Sequence, residues 1–393
     1  MDIEILESHP LQVWCERIGM AAGASQALEE VRGEVVEAPQ LLAIFTAFYD
    51  KTALRGEWDR DWHPLEIDPV VSDYFGQRAS LFYLLAMMAA IPALEQTYRQ
   101  RGIDVQIMLD TLKDIPFYTN QASEVHGYWR FDQFMWIWRH LAGELFRLGR
   151  LQFMLLPFPG QVTAFQRQAD GEVVLLADPN RILRDDGYAL GAGQTAESAA
   201  PSDADEAWTP IFAESEAGWQ GHPVSPYGYA LREPIILDRC EWQIALQPGD
   251  TILDLHIPRG QSLSEEECRA SFQQAYDFFG HYFPERPFKG VYCHTWFFTP
   301  QLQSLLPPAS SIVRFQREFY LYPHPGGPSF LWNFVFGEKY PDATSAPRDT
   351  SLRRAVLDWL AAGKFLFDMP GIMLHPPQEW GTQPYMRAWD QKA

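Results

Sequence analysis

Residues 253–268 have the sequence LDLHIPRGQSLSEEEC, which is typical of a β-strand that passes through a short loop into an α-helix. Alternation along a strand puts the aliphatic residues on one face and brings Asp254 and His256 together on the other. Two ionisable side chains on an otherwise apolar strand indicate either a ligand-binding cleft or an unusual structural joint.

The helix that follows this strand has a clear start. Ser264 with Glu267 three residues later is the capping-box pattern, and apolar residues then recur at helical spacing as far as YFPERP at 282–287. The next segment, VYCHTWFF at 291–298, has the alternation of a second strand. A strand–helix–strand order predicts two parallel strands joined by a right-handed crossover.

The second predicted strand also carries chemistry on one face. If the two strands are neighbours, five titratable or aromatic side chains line one side of the sheet: Asp254, His256, Tyr292, His294 and Trp296. We expect the functional site on this side.

A chain of 393 residues is too long for one ordinary core, and its texture changes once. The predicted fold class is α+β: an N-terminal all-helical domain at residues 1–146, then a mixed β-sheet domain at 147–393 with the βαβ unit at its centre. Hairpins are predicted at 164–178, 241–258 and 312–337, and a last helix at 350–364.

A long acidic segment interrupts the second domain. Residues 185–222 contain eight Asp or Glu residues and no Lys or Arg, which predicts an exposed, mobile insertion. A passive loop and a lid over a site both fit this composition.

The formal charge of −20 argues against partners that are polyanions. A nucleic-acid-binding protein normally has a basic stripe, and the same charge repels anionic membranes, so neither partner is expected. The start MDIEILES does not have the pattern of a secretory signal, and the apolar run at 80–94 is too short to span a bilayer. We expect a cytoplasmic protein in which this run is a buried helix.

Metal and disulfide chemistry are not expected from the sequence. The four cysteines are scattered without a CxxC pair, and the ten histidines show no HExxH motif or pair at metal-ligand spacing. Neither GxSxG nor GxxxxGK[ST] occurs, so the commonest hydrolase and NTPase signatures are missing.

Two segments resemble a known family. LHIPRGQSLSEEECRASFQQAYDFFGHYFP at 255–284 and FKGVYCHTWFFTPQLQSLLPPASSIVRFQREF at 288–319 resemble the C-terminal domain of the GNAT-like acyltransferase-domain proteins. Those proteins pair a helical N-terminal N-acyltransferase domain with a GNAT-like C-terminal domain. The resemblance implies that residues 253–257 and 291–297 are the fourth and fifth strands, which splay apart around the pantetheine of an acyl-CoA.

The resemblance also implies where the cofactor binds. The loop after the fourth strand would hold the CoA pyrophosphate through backbone N–H groups, which makes the cofactor-binding candidates Ile257, Arg259, Gly260, Gln261 and Ser262. Acyl-CoA, with acetyl as the expected acyl group, is the implied co-substrate.

Acyl transfer to an amine needs a base, an oxyanion donor and an acid for the leaving thiolate. His256 or His294 is the expected base, with Asp254 orienting His256 and Glu318 as an alternative base. The acid candidates are Tyr292, Tyr320 and Cys293, although alternation puts Cys293 on the face opposite His294.

The acceptor site is expected on two polar faces. Arg314, Gln316, Glu318 and Tyr320 share one face if IVRFQREFYLY at 312–322 is a strand. Together with Tyr292 and Trp296, Arg314 and Gln316 are the substrate-binding candidates. A solvated outer face is the alternative interpretation of the segment.

The leading hypothesis is therefore an N-acyltransferase that moves an acyl group from acyl-CoA to the amine of a small molecule. One alternative is a non-catalytic small-molecule-binding protein on a degenerate GNAT fold, which the acidic helix start at 265–267 favours because it opposes a pyrophosphate. The other alternative is a hydrolase that uses the same cleft.

Overall fold

The computed structural model describes residues 3–56, 68–190, 207–259, 263–327, 329–337, 340, 342–376 and 380–390. The chain divides into two compact units. The first comprises Met1–Leu148 and Gln152–Met154, and the second comprises Gly149–Leu151 and Leu155–Ala393.

The described part of the first unit is mainly helical. Its α-helices are α1 (Ser8–Ile18), α2 (Ala22–Glu37), α3 (Pro39–Tyr49), α4 (Pro69–Phe75), α5 (Ala79–Met88), α6 (Ile91–Gln100), α7 (Val105–Leu112), α8 (Asp114–His126) and α9 (Phe134–Leu141). Short 3-10 turns at Glu4–Leu6 and Gly76–Arg78 and a π-helical turn at Asp50–Leu54 complete it.

Local sequence signals mark where several of these helices begin. Pro39 opens α3, where its missing N–H has no cost, and the Asp104 carboxylate caps α7 by accepting a hydrogen bond from the backbone N–H of Gln106 at 2.8 Å. The apolar run at 80–94 is mostly buried, as expected, since nine of the ten residues of α5 lie in the core. It is not one helix, however: it continues into α6, where Ala93 is exposed. By length and composition Pro69–Gln100 passes as a membrane-crossing helix, but 72% of its most apolar window is buried inside the protein.

The prediction of helix up to residue 146 is wrong at its end. Phe134, Trp138 and Leu141 form a buried stripe on α9, but Leu145 lies on a strand, β1 (Leu145–Leu148). The chain turns from α9 into β1 at Gly143, whose φ of 68° is a backbone conformation that mainly glycine adopts.

A buried polar network lies within the first unit. The Oδ2 atom of Asp114 accepts hydrogen bonds from Trp136 Nε1 at 2.9 Å, His140 Nε2 at 3.0 Å and Gln152 Nε2 at 3.0 Å. Burial opposes ionisation of Asp114, but the hydrogen bond and charge of His140, with help from Gln152 and Trp136, outweigh it and hold the pKa of this carboxyl below its usual value.

The second unit contains three sheets. Its strands are β2 (Leu151–Pro157, which is divided between the units), β3 (Val162–Arg167), β4 (Val173–Ala177), β5 (Phe212–Glu214), β6 (Gly218–Gly221), β7 (Pro223–Val224), β8 (Ile235–Asp238), β9 (Trp242–Leu246), β10 (Thr251–His256), β11 (Val291–His294), β12 (Tyr320–Leu321) and β13 (Pro370–Met373). The largest sheet carries β10-β11-β13-β12 in that order, the second is β7-β4-β3-β9 and the third is β5-β6-β8.

Helices cover these sheets and complete the unit. They are α10 (Glu265–Tyr282), α11 (Leu302–Leu305), α12 (Ser311–Gln316), α13 (Ser329–Val335), α14 (Ser351–Ala361) and α15 (Pro384–Asp390). The last predicted helix is confirmed as α14, which Thr350 caps by accepting a hydrogen bond from the backbone N–H of Arg353 at 3.2 Å.

The βαβ unit is confirmed. β10 and β11 are parallel, with Leu253 opposite Val291 and Asp254 opposite Tyr292. Between them α10 starts at the predicted cap, where the Ser264 hydroxyl accepts a hydrogen bond from the backbone N–H of Glu267. The paired register between these strands stops at Asp254 and Tyr292, so the last two residues of each strand lie beyond it.

One of the three predicted hairpins is confirmed, since β3 and β4 pair in antiparallel fashion. The prediction for 241–258 is wrong: β9 pairs with β3, whereas β10 lies in another sheet. The turn between them is tied instead to Phe158, whose backbone N–H donates to the Asp250 carbonyl at 2.7 Å and whose carbonyl accepts from the Gly249 N–H at 3.0 Å.

The prediction of a hairpin at 312–337 is also wrong. Residues Ser311–Gln316 form α12, only Tyr320–Leu321 is strand, and α13 follows. Gln316 is buried and its amide donates to the Phe297 and Thr299 carbonyls, and Glu318 and Tyr320 are buried as well. Of the four residues of the predicted polar face only Arg314 is exposed, so the segment has no solvated polar face. Trp296 likewise lies in a 3-10 turn, Trp296–Phe298, because Thr295 caps that turn and ends β11.

The acidic segment 185–222 is partly built into the fold. Residues 212–214 and 218–221 are strands β5 and β6, and Trp219 is buried in a small apolar cluster. The expectation of a loop therefore fails for these strands, while residues 191–206 lie outside the described residues.

Candidate functional site

The directions of the central strands gather four side chains at one edge of the largest sheet. β10 and β11 are parallel, and β13 is antiparallel to both β11 and β12. The ends of β10 and β11, the segment after β12 and the segment before β13 therefore meet at the same edge. These positions are occupied by His256, His294, His324 and Asp368.

The first pair at this edge is the one that the sequence suggested. His256 Nε2 lies 3.1 Å from Asp254 Oδ2, and the side chains are 31% and 11% exposed. An ionised carboxylate only accepts hydrogen bonds, so in this pair Nε2–H of His256 is the donor and Asp254 Oδ2 the acceptor. Asp254 thus orients the ring.

In a second pair, the sequence predicted one residue, the histidine, but not its partner. His294 Nε2 lies 2.9 Å from Asp368 Oδ2, and the ring of His324 is 4.7 Å from the ring of His294 between centroids. Burial, and next the neighbouring His294, lower the pKa of His324. Sequence analysis missed both Asp368 and His324, since PHPGG at 323–327 has the composition of a simple turn.

A glycine holds the two missed residues together. Gly326 forms an isolated antiparallel bridge with Asp368, and a Cβ on Gly326 would lie 2.9 Å from the Asp368 Cβ and 3.0 Å from His324 Nδ1. This close backbone approach needs a residue without a side chain. The glycine of the turn was the one available signal that another element packs against it.

The remaining candidates on β11 are separated by alternation, as expected. Tyr292 is half-buried opposite Asp254, and burial raises the pKa of its phenol. Cys293 is buried on the other face, and burial raises the pKa of its thiol.

The structure describes part of the expected pyrophosphate loop. Ile257 is half-buried, and the exposed Arg259 has its guanidinium 4.5 Å from the ring centroid of Phe334. Gly260, Gln261 and Ser262 lie outside the described residues.

The acidic start of α10 is partly compensated. The Glu265 carboxylate forms an ion pair with Arg314, and the Glu267 carboxylate accepts a hydrogen bond from the Ser264 hydroxyl at 2.6 Å. Two of the three glutamates thus have partners of their own, which weakens their repulsion of an incoming anion. Arg314 serves α10 here rather than the sheet edge.

The other candidates lie in packed surroundings. Tyr320 is buried and its hydroxyl donates to the Val224 carbonyl at 2.5 Å. Glu318 is buried, its Oε1 accepts from the Gly381 N–H at 2.5 Å, and its backbone carbonyl accepts from the Tyr385 hydroxyl. These hydrogen bonds tie both residues to the packed core, and Trp296 packs in an apolar cluster with α11, α13 and α14.

Glu318 gives a prediction about pH. Burial raises its pKa to about 7, so its carboxyl binds a proton more tightly in the folded than in the unfolded chain, where it titrates near 4.5. This group therefore destabilises the fold progressively as pH rises from about 4.5 to 7. We expect Glu318→Gln to be more stable than the unaltered protein at pH 8, by about 3 kcal/mol, and to lose most of that advantage at pH 4.5.

Denaturant unfolding at the two pH values measures this difference. Glu285→Gln, at an exposed position, is the matched control and should change stability by less than about 0.5 kcal/mol at both pH values. A Glu318→Gln protein that gains no stability at pH 8 would show that the buried carboxyl is ionised without penalty.

A helical unit, followed by a mixed-sheet unit whose central parallel strands stop pairing beside two histidines, defines the GNAT-like two-domain architecture. Family models match nearly the whole chain: an N-acyltransferase N-terminal domain at residues 9–143 and a GNAT-like C-terminal domain at 145–373. The chain belongs to the family that these domains define, as the resemblance implied.

Solved structures support the same architecture. A crystal structure of an acyltransferase mutant in complex with octanoyl-CoA is 19% identical, with a TM-score of 0.63, and the match covers 94% of this chain and 88% of that chain. Acyltransferase structures with decanoyl-CoA and teicoplanin, and with CoA and 10C-teicoplanin, both have a TM-score of 0.62, with 20% and 19% identity and coverage of 93% and 94% of this chain and 88% of theirs. None of the curated protein sequences matches this chain significantly. At these identities the likeness establishes a shared fold.

Proposed function

We propose that this protein transfers an acyl group from acyl-CoA to the amine of a small molecule, with His256 as general base. The observation that carries the proposal is the His256–Asp254 pair at the end of β10, where the pairing with β11 has stopped. Two parallel strands that no longer pair, next to an oriented imidazole, provide a position where an acyl thioester and an amine can bind side by side.

The chemistry follows from the orientation of the ring. Nδ1 of His256 takes a proton from the acceptor ammonium, the amine nitrogen attacks the thioester carbonyl carbon, and a tetrahedral intermediate forms. Its collapse breaks the carbon–sulfur bond, the nitrogen loses its second proton to give the neutral amide, and the CoA thiolate takes up that proton. The imidazolium of His256 then releases the first proton to solvent. Asp254 stabilises the imidazolium in between. Of the three acid candidates, Tyr292 is the one placed beside Asp254.

The similar structures bear on the donor. One holds octanoyl-CoA, one holds decanoyl-CoA with teicoplanin, and one holds CoA with 10C-teicoplanin. This supports an acyl-CoA donor and favours a medium-length acyl chain over the acetyl group expected from the sequence. It also supports a small-molecule acceptor. We take the acceptor group to be an amine, whose ammonium form a histidine base can deprotonate.

Purified protein incubated with acetyl-, octanoyl- or decanoyl-CoA tests the proposal through thiol release. A transferase releases CoA faster when an amine-bearing acceptor is added. The increase in rate should be smaller when the nitrogen of the same acceptor is blocked. CoA release that no acceptor accelerates would indicate a hydrolase. Saturable stabilisation by acyl-CoA without any turnover would indicate a binding protein.

The loop after β10 gives a prediction about the donor. If Arg259 contacts the CoA pyrophosphate, Arg259→Glu should weaken CoA binding about 10- to 100-fold, because a charge-assisted hydrogen bond is replaced by repulsion. Isothermal titration with CoA and with pantetheine measures the effect, which should be confined to the ligand that carries phosphate. Arg269→Glu, at an exposed position on α10, is the matched charge reversal. Equal CoA affinity in both variants would remove Arg259 from the site.

A further inference from the structure

We propose that His294, His324 and Asp368 bind one divalent transition-metal ion, with zinc as the best-matched ion. These three residues each offer a ligand atom, and the three atoms lie within 4.8 Å of one another. They come from the end of β11, the segment after β12 and the segment before β13, so three separate elements aim them at one point.

The donor set matches this class of metal. Two imidazoles and one carboxylate suit zinc and its neighbours in the first transition series, whereas calcium and magnesium prefer oxygen donors alone. Ligand atoms about 2.0–2.2 Å from a tetrahedral zinc ion lie about 3.4 Å from each other. His294 Nε2 and Asp368 Oδ2 are already 2.9 Å apart, so small side-chain movements complete the geometry.

Two buried atoms at this point have no hydrogen-bond partner within the part of the chain that the structure describes. They are Oδ1 of Asp368 and Nδ1 of His324, although the backbone of Asp368 lies close enough to interact with the His324 ring. A buried polar atom without a partner is costly, and protein structures rarely keep one without a ligand or a water molecule to satisfy it. Coordination of a cation satisfies an imidazole nitrogen and a carboxylate oxygen together, which a single proton cannot do.

The charges nearby set the expected strength. The Asp368 carboxylate favours a cation, whereas the charge of Arg181 also reaches His324 and opposes one. With three protein ligands and this opposing charge, we expect weaker binding than at a four-ligand structural zinc site.

The other histidine–aspartate pair is a built-in control. His256 with Asp254 has the same side-chain exposures, 31% and 11%, as His294 with Asp368. Among the described residues, however, no third metal-ligating side chain joins His256 and Asp254 at that distance. Binding of the ion therefore distinguishes the His294–Asp368 pair from the His256–Asp254 pair, although His256 and His294 end the adjacent strands β10 and β11.

Titration of the full-length, chelator-treated protein with Zn²⁺ by calorimetry, and with Co²⁺ by visible absorption, tests the site. We expect one ion per chain. His324→Ala and Asp368→Asn should each lower the Zn²⁺ affinity by at least about 100-fold, whereas His256→Ala should keep both affinity and stoichiometry. His324→Asn, which keeps a polar side chain, replaces His324→Ala if the alanine variant does not fold by circular dichroism.

Each outcome bears on the proposal without using acyl transfer as the readout. Absence of saturable Zn²⁺ and Co²⁺ binding in the unaltered protein overturns it, and so does binding that survives both His324→Ala and Asp368→Asn. Loss of binding in His256→Ala alone would place the ion at the other pair and overturn it as well.

Discussion

His256→Ala is expected to lower kcat for acyl transfer by about 10²- to 10⁴-fold, the contribution of a positioned general base. The affinity for CoA should change by less than about threefold, since Nδ1 acts on the acceptor nitrogen and no CoA contact is removed. Steady-state thiol release gives kcat, and titration with CoA gives the dissociation constant.

Two further variants make this result specific. Asp254→Asn should also lower kcat, because the amide no longer fixes the ring tautomer and no longer stabilises the imidazolium. His281→Ala, at an exposed position near the end of α10, should have normal turnover. If His256→Ala keeps full activity, the base is elsewhere, and His294 becomes the first residue to replace.

Asp114→Ala is expected to destabilise the helical unit by about 3–5 kcal/mol, because three buried donors lose the acceptor that they share. The sign with pH follows from the lowered pKa of this carboxyl. Its contribution is present above the unfolded pKa of about 3.8 and is lost as pH falls through the lower folded value. The difference in the free energy of unfolding between Asp114→Ala and the unaltered protein should therefore become smaller in acid.

Denaturant unfolding followed by far-ultraviolet circular dichroism measures this loss at pH 7 and again in acid. Asp73→Ala, at an exposed position on α4, is the control and should stay within about 0.5 kcal/mol of the unaltered protein. A loss below about 1 kcal/mol for Asp114→Ala would mean that water replaces the carboxylate and satisfies the three donors.

Local patterns in the sequence were enough to predict the central βαβ unit of the fold. The alternation at 253–257, the Ser264–Glu267 cap and the return strand at 291 fixed a parallel pair with Asp254 and His256 on one face, and the structure has this arrangement. These features depend on neighbours within a few residues, so they can be read without knowing what packs above them.

The rest of the site depended on contacts between distant parts of the chain. His324 is 30 residues and Asp368 is 74 residues from His294 along the chain, and no spacing rule joins them. The prediction of a strand at 312–322 was wrong for a related reason. Strand alternation assumes one solvated face, but Gln316, Glu318 and Tyr320 of the predicted polar face are buried by contacts with distant segments, and Ser311–Gln316 is helical.

The position of β13 has a consequence for how this protein is made. β13 is the last strand among the residues that the structure describes, yet it lies between β11 and β12 and pairs with both of them. While residues before 370 are being synthesised, β11 presents an unpaired edge that invites association with other chains. Asp368 arrives only two residues ahead of β13, so the edge is closed and the His294 side of the site is completed in the same late step. A nascent chain can therefore hold the His256–Asp254 pair well before its sheet is safe from aggregation.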